Sequence, residues 1–254
     1  MGIRTLLRAK LTFLNTKNEI SQSLKFGKIG LDRSSALKKL NGILKKNFDT
    51  EYNENSGMWS EHLLLLSAIS QLAGFVPNPK ILEIGTFRGE TTLIISHLFP
   101  NSKLKTIDLP DTLLANSSTY GYEFQEIKKI EQRDTNLKNS KAEFKQKNSI
   151  ELTWLEEKFD LIWLDGDHTF PVVISDVINC LRLSNLNGFV LCDDVVSSNF
   201  FNRNTTYLTL KYLKLMESLG YINLDLIPKR IGTYNWIFRR KYIALIKVLS
   251  SSSN

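Results

Sequence analysis

Lys80-Ile81-Leu82-Glu83-Ile84-Gly85-Thr86-Phe87-Arg88-Gly89-Glu90-Thr91-Thr92 is the stretch that decides the fold of this 254-residue chain. It opens as a short apolar strand, turns at two glycines and enters a helix predicted over 91–98. Glycine lets a backbone turn tightly and come close to a ligand. The free N–H groups at a helix start attract an anion. Upstream, Pro77 and Pro79 stop an apolar helix predicted over 60–74.

Outward from this unit, strands and helices alternate. Strands are predicted at 103–107, 142–146, 159–164 and 188–192, and helices at 123–133, 171–183 and 205–219. Pro171 is expected in the first helical turn, where its missing N–H costs nothing. Residues 222–227 and 234–239 read as a closing hairpin. This order predicts an α/β fold around a mainly parallel sheet.

Composition agrees with a globular chain: 42 % hydrophobic and 23 % charged residues. The best apolar run, 63–76, is broken by Ser67, Ser70 and Gln71 and falls short of the ~20 residues a membrane span needs. Arg8 and Lys10 interrupt any signal-like apolar core. Two cysteines, Cys180 and Cys192, make neither a disulfide framework nor a zinc site, and a reduced, cytoplasmic compartment is expected.

The net charge of +7 is uneven. Residues 1–57 hold 11 basic and 5 acidic side chains, 58–227 hold 16 and 21, and 228–254 hold 6 and none. The polar run 49–57 reads as a linker. The division expected is a basic helical extension over 1–57, a main domain over 58–240 and a basic tail over 241–254. Ile3, Leu6, Leu7, Leu11 and Leu14 share one helical face. That face suits peripheral contact with a membrane surface or packing on the chain's own domain. An acidic body argues against nucleic acid as a partner. A homo-oligomer is compatible with the sequence.

In open parallel sheets, ligands sit beyond the carboxyl ends of the strands. The residues there are the Glu83–Thr91 loop, then Asp108, Asn148-Ser149, Asp165-Gly166-Asp167-His168 and Asp193-Asp194. Asp108 lies 19 residues beyond Gly89, near the spacing of the acid that holds ribose hydroxyls in nucleotide-binding sheets. Each alone has an ordinary explanation as a cap, a turn or a surface side chain. Their shared edge carries the reading. The carboxylates after the fourth and fifth strands converge if those strands are neighbours, and oxygen ligands without cysteine suit Mg²⁺ or Mn²⁺.

With those motifs, residues 59–240 resemble the class I S-adenosylmethionine-dependent methyltransferases. The likeness rests on 81–89, on 160–168 with its Asp-Gly-Asp-His run, and on 188–194 with its paired Asp. It is similar to a bacterial small-molecule and sugar O-methyltransferase group and, more distantly, to catechol O-methyltransferases. The resemblance implies a Rossmann-like, doubly wound, mainly parallel seven-stranded sheet with a C-terminal antiparallel hairpin and an N-terminal helical extension. It implies S-adenosylmethionine as cofactor, held by Glu83, Gly85, Thr86, Gly89, Thr91 and Asp165. Asp108 would hold the ribose, and Asn148 would stand beside the adenine where the family has an acid. It implies a metal on Asp165, Asp193 and Asp194, and His168 with Asp165 as the catalytic pair, the imidazole acting as base.

The acceptor implied is a small-molecule hydroxyl, of a sugar or aromatic polyol. Its pocket would be built from 1–60, 109–122 and 197–206, with Trp59, Tyr120, Tyr122, Phe200, Phe201 and Arg203. Three other readings compete. A nicotinamide oxidoreductase lacks support, because three residues separate Gly85 from Gly89 instead of the G-x-G-x-x-G spacing. Amine methylation of nucleic acid lacks its Pro-Pro motif after the fourth strand, which leaves metal-independent methylation of RNA ribose. A non-catalytic protein docked through its basic ends is the third.

Overall fold

The computed structural model describes residues 18–54, 59–111, 123–197, 206–234 and 237–249. The elements in order are α1 (18–28), α2 (Arg33–Phe48), α3 (Glu61–Ile69), β1 (Lys80–Ile84), α4 (Glu90–Leu98), β2 (Lys103–Asp108) and α5 (Glu123–Ser140). There follow β3 (Glu143–Gln146), a 3-10 turn (Ser149–Trp154), β4 (Phe159–Leu164), α6 (Val172–Leu183), β5 (Ser184–Val196), α7 (Thr206–Ser218), β6 (Ile222–Tyr234) and β7 (Ile237–Val248).

Seven strands form one sheet in the order β3-β2-β1-β4-β5-β7-β6. β1 to β5 are parallel; β7 runs antiparallel to both β5 and β6. The chain therefore has the doubly wound, Rossmann-like sheet with a closing hairpin. Successive strand residues face opposite sides, and the two halves of the core follow that alternation. Ile81, Leu161 and Trp163 pack with Leu40, Leu44, Leu63, Leu66 and Ile94 from α2, α3 and α4. Leu82, Ile84, Ile162 and Leu164 pack with Val177, Cys180, Leu210 and Leu213 from α6 and α7.

The extension expected over 1–57 is, in its described part, no separate unit. Phe26, Leu31, Ala36, Leu40 and Leu44 are buried in the same core as β1 and β4. Asp32 caps α2 by accepting from the backbone N–H groups of Ser34 and Ser35. Arg33 then reaches α3, where its guanidinium pairs with the buried Glu61. The docking face at residues 3–14 lies outside the described residues. Among the described residues no helix is long and apolar enough to cross a membrane.

The C-terminal boundary also moves. Residues 241–248 are not a tail: β7 continues to Val248, and Ile243, Ala244, Leu245 and Ile246 are buried between β5 and β6. Other elements differ from the sequence reading at their ends. The helix predicted over 60–74 stops at Ile69, because Ser70 Oγ and Gln71 Nε2 both donate to the carbonyl of Ser67. α5 runs to Ser140 rather than 133. Pro171 precedes the first turn of α6, after a cis Phe170–Pro171 bond. β5 starts at Ser184 with no intervening loop and carries Asp193 and Asp194 within the strand.

Leu40 links α2 to the shared core. Leu40→Ala should lower stability by about 2–5 kcal/mol, and guanidinium unfolding should remain one transition. A separate early transition for the N-terminal helices would show that they form a unit of their own.

Candidate active site

The carboxyl ends of β1 and β4 meet at Gly85. Its φ is +97°, and a β-carbon there would lie 2.2 Å from the carbonyl oxygen of Asp165. Only glycine fits this crossing. Its N–H donates to the carbonyl of Ile107 on β2 (2.9 Å), so three strand ends are tied at one point. Gly89, at φ +69°, precedes α4 and packs against Arg133 and Asn136 of α5. Asn136 Nδ2 holds the loop from outside by donating to the carbonyl of Arg88 (2.8 Å).

Under the loop lies Glu83, fully buried. Its Oε2 accepts from Thr106 (2.7 Å) and from Thr92, and Thr86 Oγ1 lies 2.6 Å from Thr106 Oγ1. Burial pushes the Glu83 carboxyl up to about 8 against these hydrogen bonds. Glu83 is thus the floor that sets the loop. Thr91 sits in the first turn of α4, half-buried. At the end of β2, Asp108 accepts from the N–H groups of Phe87 (2.7 Å) and Leu109 (2.8 Å), which aims its carboxylate along the same edge. Burial raises it above the usual carboxylate value.

Asn148 stands at the expected edge, but its side chain is a cap. Its Oδ1 accepts from Ile150 N–H (3.0 Å), and Glu151 answers with a bond from Asn148 N–H (3.2 Å). An adenine contact through that oxygen would compete with the cap.

The acidic group assembles as the sequence expects and is occupied in a way it does not. His168 Nε2 lies 3.4 Å from Asp165 Oδ1 and 4.0 Å from Asp194 Oδ2. Burial works against its charge, but these carboxylates outweigh it and raise the imidazole above its ordinary value. The ammonium of Lys229, on β6, lies 2.7 Å from Asp193 Oδ1, from Asp193 Oδ2 and from Asp194 Oδ1. Lys241, on β7, pairs with the other oxygen of Asp194. Burial raises both carboxyls, yet the two lysines hold Asp194 well below the usual range.

Two irregularities make this possible. Consecutive strand residues point to opposite faces, so Asp193 and Asp194 should not reach one partner. The β5–β7 register shifts between Cys192 and Val195, and Asp194 takes φ +54°. A second shift between Pro228 and Ile231 re-aims β6 at Lys229.

The metal expected on Asp165, Asp193 and Asp194 does not fit this arrangement. Asp165, His168 and Asp193 do carry candidate ligand atoms within 4.8 Å of one another. Yet all four oxygens of Asp193 and Asp194 are engaged by ammonium groups, and a dication would have to displace Lys229.

Lys229, Lys241 and His62 were not singled out in the sequence. His62 stacks on Trp163 (centroids 4.6 Å apart, planes 12° apart) and shares a 2.8 Å hydrogen bond between Nδ1 and Ser60 Oγ. Burial drives its pKa down to about 3, so it is neutral. A Glu-His pair opening a run of four leucines was the available signal. Of the residues expected to line a substrate pocket, Trp59 donates to Glu90 Oε2 (3.2 Å) and packs on Phe48. Tyr120, Tyr122, Phe200, Phe201 and Arg203 lie outside the described residues.

Residues 82–195 match the family model described as a methyltransferase domain. None of the curated protein sequences matches the chain. Solved structures share its fold. A Klebsiella pneumoniae protein, described provisionally as an O-methyltransferase, is 17 % identical, with a TM-score of 0.54 over 86 % of this chain and 90 % of that one. The O-methyltransferase TomG of Streptomyces achromogenes, involved in tomaymycin synthesis and solved with S-adenosylmethionine, is 16 % identical; the TM-score is 0.53 over 91 % and 96 %. An rRNA methylase of Streptococcus thermophilus is 10 % identical, at 0.50 over 77 % and 100 %. The shared fold thus spans different acceptors and does not choose between them.

Two outcomes follow from the geometry. Gly85→Ala should strain the loop by about 1–3 kcal/mol from its backbone angle alone, with the clash against Asp165 added, and thermal unfolding will read the loss. The chain's three histidines should separate in an NMR titration of their imidazoles. One midpoint, that of His168, should lie above the ordinary value, that of His97 below it and that of His62 at about 3. A high midpoint that survives His168→Gln would contradict the assignment.

Proposed function

From the match of residues 82–195 to the methyltransferase-domain model, we propose that this chain moves the methyl of S-adenosylmethionine to a hydroxyl oxygen of a small molecule, with His168 as base. The observation that carries the reading is one shared edge. There the Gly85–Gly89 loop meets Asp108 through Phe87 N–H and Asp165 through Gly85, and His168 Nε2 is 3.4 Å from Asp165 Oδ1. The sulfonium of the cofactor is cationic and suits the carboxylates of this edge, while the carboxylate of its methionine part suits the start of α4. Glu83, Gly85, Thr86, Gly89 and Thr91 shape the cradle, and Asp108 serves the ribose hydroxyls.

The reaction needs an oxygen nucleophile, and its proton must leave. Neutral His168 takes that proton; the oxygen forms a bond to the methyl carbon as the carbon–sulfur bond breaks. S-adenosylhomocysteine leaves as a neutral thioether, and the imidazolium later returns its proton to water. Asp165 orients the imidazole and favours its protonated form, which is what a base requires at the moment of transfer. The remaining contribution is positioning. The carboxylates of Asp108 and Asp165 on this edge favour a sugar or aromatic alcohol over an RNA ribose, whose flanking phosphates they would repel.

Calorimetric titration of S-adenosylhomocysteine in EDTA tests the reading, with micromolar binding expected. Asp108→Ala should weaken it about tenfold or more, a loss near 1.4 kcal/mol. His168→Ala should spare binding and lower methyl transfer to a sugar or polyol about 10²-fold. Because the base must be neutral, the rate should climb with pH through the raised His168 midpoint, and Asp165→Asn should move that rise to lower pH. Absence of homocysteine-product binding would defeat the proposal.

A further inference from the structure

Lys229 is built into the fold more firmly than a surface lysine. Its side chain is 12 % exposed, and those of Asp193 and Asp194 are 9 % and 17 % exposed. Its backbone is fastened from the other end of the chain. Asn18 Nδ2 donates to the carbonyl of Lys229, and Gln22 Nε2 to that of Pro228, both at 2.9 Å. Gln22 is fully buried and also accepts from Arg33 (3.3 Å), the partner of Glu61. Opposed irregularities in β5 and β6 then bring one ammonium between two consecutive carboxylates.

We infer that Lys229 is a resident cation standing where a divalent ion would otherwise sit, so that this site is held together without a metal. The inference takes its functional meaning from the methyltransferase reading; the contact itself does not depend on it. Three close carboxylates repel one another unless positive charge separates them. Here Lys229 and Lys241 supply it to Asp193 and Asp194, and Asp165 is left to face His168. Lys229 is therefore a positioning residue.

The substitution has a consequence for the acceptor. An ammonium cannot chelate two oxygens or acidify a bound hydroxyl as a dication does. Deprotonation then rests on His168, and the substrate needs no vicinal pair. A single hydroxyl suffices, so monohydroxyl acceptors should compete equally with vicinal diols.

Mn²⁺ binding, read by electron paramagnetic resonance on the full chain, decides the matter without an acceptor. The wild type should leave Mn²⁺ free. Lys229→Ala should uncover the carboxylates and bind Mn²⁺ at least about tenfold more tightly, with Asp193→Asn in that background abolishing the gain. A merely structural lysine would give no such gain. Should Lys229→Ala fail to fold, Lys229→Met preserves the apolar stem, and the wild-type measurement decides by itself. Stoichiometric Mn²⁺ binding by the wild type, lost in Asp193→Asn, would overturn the inference, as would a folded Lys229 variant indifferent to Mn²⁺. S-adenosylhomocysteine titrated into the same samples separates the two ideas: binding in EDTA keeps the methyltransferase reading whichever way the metal result falls.

Discussion

The close approach of Gly85 to the carbonyl of Asp165 is the constraint on which the rest is arranged. β1 and β4 are adjacent and parallel, yet the chain leaves them in opposite directions, toward β2 on one side and β5 on the other. A crevice opens where the strand order reverses. A side chain at position 85 would wedge the two strand ends apart. Its absence lets the glycine loop and the Asp165–His168 turn share one floor. On one side stand Glu83 and Asp108, on the other His168 and the paired aspartates. Two halves with separate structural origins become one site because two backbones touch.

Local pattern made the parallel half of this architecture legible. The strands around Ile84 and Leu164 are short apolar runs that end in glycine and carboxylates, and the structure puts those ends on one edge. The closing hairpin was harder to read. Lys241 to Val248 lies between two partners and is buried through its middle, so it reads as a continuous apolar run rather than an alternation. Length alone does not separate such a run from a helix. The end of α5 is polar, with Leu137 its sole large apolar side chain after Ile130, and offered periodicity nothing to follow.

The acidic group shows where reading by residue type stops. Asp165, Asp193 and Asp194 were legible as a cluster, because strand neighbours bring their ends together. Their counter-charge was not. Lys229 counted only as one of several basic residues near the C-terminus. What aims it inward is a change of register in β6 opposite another in β5, and register is a property of pairing between distant segments. Likewise His62 looked like a polar interruption of an apolar helix, while its ring lies flat on Trp163 under the site. Carboxylate chemistry is readable from one strand; the cation that completes it depends on three.

The two hydrogen bonds from side-chain amides of α1 to carbonyls of β6 span 211 and 206 residues of chain. Contacts so distant in sequence are slow to form, since the intervening chain must be ordered first. They also set a schedule for synthesis. The glycine loop, Asp108 and His168 all leave the ribosome well before Lys229 and Lys241 exist. During that interval the aspartates of β5 lack their ammonium partners, and β5 lacks β7 as its outer neighbour. The site therefore closes only after β7 has been made, when that strand pairs with β5 and β6 and α1 can bond to β6 through Asn18 and Gln22.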